Sequence, residues 1–196
     1  MKQPWDIPEP PTPEAADTDI NTVYAAVGEA LSAWEHLEES LAQLFSIFIG
    51  LHSGSVAAER AYGSVTAFAS RKGMLEQVAE VYFRHHPDTE SQNLFKDIIE
   101  AAGNFSARRN DIAHAKVMSF LRPGDEKIIF LLWPAFYNSN KINWRGSAKF
   151  VYNSAIVSSF TGRFNDIQQT TRALIRTIEQ RHDPMPAEEC VQPVYE

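Results

Sequence analysis

Apolar residues recur at every seventh position between residues 20 and 48. Ile20, Val27, Trp34, Leu41 and Phe48 form one line, and Val23, Ala30, Leu37 and Leu44 form a second beside it. Paired lines of this kind make the buried seam of a helix that packs against other helices. Thr18 or Asp19 supplies a side-chain acceptor for the first free N–H groups, which predicts a first helix reaching roughly Gly50. A third flanking line runs Tyr24, Leu31, Glu38, Phe45, so a carboxylate interrupts an otherwise apolar edge. The plainer expectation for Glu38 is a stripe-edge residue whose carboxylate reaches water. The sharper one is a carboxylate kept to pair with an arginine inside the helical packing.

A second helix is expected over about residues 57–84, with Tyr62, Val65, Phe68, Leu75, Val78 and Tyr82 on one side. Gly73 is the candidate point for a bend or split. His85 and His86 close this helix before Pro87, where the helix dipole favours a histidine, and no metal-ligand spacing accompanies them. Asp88 or Thr89 starts a third helix whose apolar face is Leu94, Ile98, Ala102 and Phe105. Residues 116–121 and 128–136 are β-rich runs joined by the turn-forming stretch RPGDEK, with a third short strand expected at 149–152. The last helix is expected over about residues 155–181, turning Ile156, Phe160, Phe164, Ile167, either Ala173 or Leu174, and Ile178 inward. The fold class is therefore mainly α: a four-helix bundle with a small β-hairpin insertion, at about residues 116–153, between the third and fourth helices.

Composition adds boundaries to this picture. Of 196 residues, 44% are hydrophobic and 22% charged, which suits one globular domain, placed at residues 18–182. Five prolines among the first thirteen residues make residues 1–17 a flexible proline-rich arm, and residues 183–196 read as an acidic tail with Pro184, Pro186 and Pro193. No apolar run is long enough to span a bilayer, and no apolar segment follows Lys2 as a secretory signal requires. A lone cysteine, Cys190, excludes an internal disulfide framework, so the expected location is cytoplasmic and no membrane partner is expected. The net charge of −7 resides wholly in the two tails. Within the domain, residues 18–103 hold 5 basic and 12 acidic groups, while residues 104–182 hold 12 basic and 5 acidic. Such asymmetry implies either a surface that faces a polyanion or two halves that pair with each other.

The basic half opens on ARRNDIAHAKV, residues 107–117. At about 100° per residue, Arg109 projects near the centre of the third helix's apolar stripe and Arg108 toward its edge. A guanidinium at a stripe centre is costly unless paired, solvated in a cleft or placed at an interface, so Arg109 demands a reason and Arg108 does not. Asn110 and His114 share a face, being four apart. Arg109 and His114 are five apart and diverge by about 140° on a regular helix. They converge only if the helix ends between them or if a second chain brings the same segment alongside, as a two-fold dimer would.

The segment RNDIAH, Arg109 to His114, resembles the signature of the HEPN superfamily (higher eukaryotes and prokaryotes nucleotide-binding domains). That signature is an arginine, a polar residue that is most often asparagine, three variable residues and a histidine. The predicted organisation is similar too, the family's fold being a four-helix bundle whose motif closes the third helix. The resemblance implies a metal-independent endoribonuclease, often a toxin or a phage-defence or stress protein, whose homodimer joins two motifs in one cleft. It implies that Arg109 holds the scissile phosphate, that His114 acts as general acid or base, and that Asn110 orients one or the other. No cofactor or metal is required, because RNA supplies its own nucleophile. Asp111 places a negative charge beside the motif, which by itself weakens phosphate attraction. Other members of the family have lost catalysis, and the alternative is an inactive dimerising module that binds a partner protein, such as an antitoxin, or a nucleotide.

Candidate RNA contacts come from the basic half: Arg108, Lys116, Arg122, Lys127, Lys141, Arg145 and Lys149. Arg108 and Lys116 flank the motif, and Trp144 with Arg145 form the strongest ligand-facing pair, in the polar loop YNSNKINWRG. Trp133 and Phe136 are expected to glue the hairpin onto the helices.

Overall fold

The computed structural model describes residues 2–122, 124, 126–137, 140–142 and 147–182. Among these, five α-helices and one antiparallel hairpin follow a short 3-10 turn at Pro13–Ala15: α1 (Ile20–Phe48), α2 (Val56–Gly63), α3 (Phe68–His85), α4 (Thr89–Ala113), β1 (Ala115–Leu121), β2 (Ile128–Pro134) and α5 (Ser154–His182). The protein is mainly helical, and no described helix is long and apolar enough to cross a membrane. The acidic tail with Cys190, and the pair Trp144 and Arg145, lie outside the described residues.

Helix α1 begins where Asp19 accepts a hydrogen bond from the Asn21 N–H at 2.9 Å. Its inner line is wholly enclosed, with Val23, Ala30, Leu37 and Leu44 at 0% exposure. Burying the valine and the two leucines this way contributes roughly 1.5–3 kcal/mol each. α1 packs most extensively on α5, and α4 lies against both. The aromatic centre joins these three helices: Trp34 meets Phe164 edge-on at 5.2 Å, and Phe164 meets Phe105 at 6.1 Å.

The second expected helix is two helices. The break falls at residues 64–67, not at Gly73, which lies inside α3. Ser64 turns its hydroxyl back onto the Ala61 carbonyl at 2.7 Å, and Arg71 donates to the carbonyls of Val65 (2.9 Å) and Thr66 (3.4 Å). The carbonyls that a continuous helix would have bonded are thus satisfied by a side chain from the next helix.

β1 and β2 pair from Ala115↔Pro134 to Leu121↔Ile128. Gly124, at φ 98°, occupies a left-handed position in the connection, and Arg122 N–H bonds Lys127 O at 2.7 Å. The expected third strand reduces to a single bridge between Leu132 and Tyr152. The arm expected to be flexible is instead docked. Trp5 packs edge-on against Phe105 at 6.2 Å, and Phe130 N–H donates to Asp17 O at 2.7 Å. Asp17 also accepts from the Ser154 N–H at 2.7 Å, while Asn153 accepts from Ile156 N–H at 2.9 Å, so the start of α5 is capped both by the adjacent residue and by the distant arm.

Candidate functional site

Helix α4 runs unbroken through Ala113, and His114 N–H still donates to Asn110 O at 3.2 Å. The helix therefore does not end between Arg109 and His114, and their side chains diverge. Arg109 turns toward α1, where it donates to Glu35 at 3.2 Å and to Asn110 Oδ1 at 3.3 Å. It lines a hollow of about 330 Å³ with Trp34, Glu38, Phe68, Ser106 and Asn110. His114 stands at the junction of α4 and β1 with its imidazole exposed. It lines a smaller hollow, about 60 Å³, with Asn110, Asp111, Pro134, Lys141 and Phe150. Asn110 is the wall between the two hollows.

The buried charge is not the expected one. Arg108 is only 8% exposed at its side chain, against 31% for Arg109. A single-helix projection cannot anticipate this, because the insertion covers the last turn of α4 on the Arg108 side. Asp111, fully enclosed, gathers three donors there: Arg108 Nη2 at 3.0 Å, Lys141 Nζ at 2.6 Å and Tyr152 Oη at 3.2 Å. Burial, and then the neighbouring Asp111 carboxylate, push the Tyr152 hydroxyl well above the ordinary tyrosine range, so it remains a donor. Asp111 thus points inward against two cations. Arg108, expected as an RNA contact, spends its guanidinium on this cluster.

A second enclosed network supports the Arg109 hollow. Glu38 does not reach water; it accepts from Trp34 Nε1 at 3.2 Å and pairs with Arg71. Arg71 also lies over the Tyr62 ring, 5.8 Å from its centroid. Burial, followed by the Glu38 charge, raises the Tyr62 hydroxyl in the same direction as Tyr152. Tyr152 and Arg71 had no part in the expected site, and Asp111 entered it only as a charge beside the motif. An i,i+3 pairing of Arg108 with Asp111 was visible in the chain, whereas nothing local marks Lys141 or Tyr152 as its partners.

Of the other candidate RNA contacts, Lys116 is exposed on β1 with its ammonium 4.8 Å from the centroid of the Phe136 ring. Phe136 is itself 60% exposed and does not glue the hairpin down. Trp133 packs against Phe120 at 5.2 Å, within the hairpin. Comparison with family models, with curated proteins and with solved structures finds no match to this chain.

Proposed function

We propose that the protein is a metal-independent endoribonuclease of HEPN type, built on a four-helix bundle of α1, α3, α4 and α5, that cleaves RNA in a cleft shared by two copies. One observation carries the reading: Arg109 and His114 bracket Asn110 at the end of α4, each lining its own hollow, and the two side chains diverge. A phosphate that needs both groups must then receive them from different chains. In such a cleft Arg109 neutralises the phosphate oxygens, exchanging Glu35 for the substrate. His114 from one copy removes the proton of the ribose 2′-hydroxyl as its oxygen attacks phosphorus. His114 from the other copy protonates the departing 5′-oxygen, which leaves a 2′,3′-cyclic phosphate and a 5′-hydroxyl. The basic surplus of residues 104–182 supports a polyanionic substrate.

The test is cleavage of a panel of RNAs in EDTA by the wild type, Arg109→Ala and His114→Ala, with light scattering on each. Expected are a dimer, cyclic-phosphate ends, and a loss of at least about 100-fold in each variant. Variants that cleave as fast as the wild type overturn the assignment. A dimer that never cleaves points instead to the silent dimerising module.

A further inference from the structure

We infer that Lys141, contributed by the insertion, is a phosphate-binding residue of the His114 hollow, and that the enclosed Asp111 is the positioning residue that sets it there. This rests on the ribonuclease reading above and adds to it a residue that the six-residue signature does not contain.

Three observations converge on Lys141. It lines the same hollow as Asn110 and His114, so a phosphate oxygen brought to the histidine meets the ammonium too. Its side chain is 26% exposed, and Nζ is 2.6 Å from Asp111 Oδ1. An ammonium has three N–H donors, and one hydrogen bond to Asp111 leaves others for a ligand. The charge balance points the same way. Asp111 faces two cations, Arg108 and Lys141, so the cluster carries one net positive charge. Arg108 is sealed beneath the surface, and the surplus is therefore presented through Lys141.

The arrangement is also preorganised. A free lysine loses considerable rotamer freedom when it grips a ligand, but here Asp111 has already fixed the ammonium. Tyr152 Oη, 3.2 Å from Asp111 Oδ2, and Arg108 hold the carboxylate from its other side. Lys141 lies 30 residues beyond Asp111 in the chain, so this contact also anchors the insertion over the end of α4. The insertion thereby delivers a cation to the catalytic end of the helix.

The experiment uses full-length protein and a single-stranded RNA oligonucleotide, with cleavage measured in EDTA and binding measured by anisotropy across a salt series. Lys141→Gln is expected to lower kcat/KM about tenfold or more. It should also reduce the magnitude of the slope of log affinity against log salt by about 0.7, the signature of one lost phosphate contact. Lys141→Arg should restore both. Asp111→Asn, with Lys141 intact but unanchored, should lower kcat/KM while leaving most of the salt slope. If Lys141→Gln does not fold, the double variant D111N/K141Q, which removes the carboxylate together with its cation, carries the same expectation. A wild-type salt slope and cleavage rate in the Lys141 variant, alongside an inactive His114→Ala, overturn the Lys141 assignment and leave the ribonuclease reading standing. Absence of both binding and cleavage in the wild type overturns both.

Discussion

Arg108 meets Asp111 in the interior, while its neighbour Arg109 meets the exposed Glu35 at the rim of a hollow. Removing one partner from an enclosed ion pair leaves the other charge desolvated, whereas a solvent-screened pair contributes little. Arg108→Met is therefore expected to lower the unfolding free energy by about 3 kcal/mol in urea. Arg109→Ala should change it by less than about 1 kcal/mol while removing the cleavage activity proposed above. Equal losses in the two variants would contradict this division of labour. The local sequence misjudged which arginine of this segment is enclosed. The reason is physical: a helical wheel records only a helix's own periodicity, and the burial of Arg108 and Asp111 is imposed by Lys141 and Tyr152 from a distant part of the chain.

Helices with strong ends and a continuous seam were the legible elements. Asp19 and Asp88, each one of the two residues expected at its helix start, cap α1 and α4, and α1 ends within about two residues of its anticipated limit. The division between α2 and α3 was not legible, because Arg71 stabilises it by reaching back to Val65 and Thr66. Gly73, the local candidate for the break, has no tertiary reason to be glycine: its φ is not in the left-handed region, and a Cβ there would meet nothing within 4 Å. Gly73→Ala should then stabilise the protein by about 0.5–1 kcal/mol through helix propensity alone, read as a higher urea midpoint with unchanged slope. A destabilised variant would mean that α3 needs its flexibility at that point.

At the scale of the whole molecule, charge is arranged lengthwise along the chain, with an acidic first half of the domain and a basic second half. That division was fully legible by counting residues, while its two possible meanings were not separable without coordinates. The Glu38–Arg71 pair joins residues within the acidic half, and Asp111 with Arg108 and Lys141 joins residues within the basic half. Arg109 with Glu35 crosses between them at the surface. Arg181 with the largely enclosed Asp88 also crosses between them, so the two halves pair both within themselves and with each other.

The docked arm has a consequence for the order of folding. Asp17 caps α5 across 137 residues of chain, so this contact closes one of the longest loops the domain contains. Closing a long loop costs entropy before any contact rewards it, which puts the event late, after the helices have assembled. During synthesis the arm emerges before the helices of the domain yet must wait for α5 before it has a place to bind. Interactions formed after the transition state slow unfolding and leave the folding rate alone. A chain lacking residues 1–17 is thus expected to refold at the rate of the full chain and to unfold faster, in stopped-flow denaturant jumps. A slower refolding rate in the shortened chain would instead make the arm part of the folding nucleus.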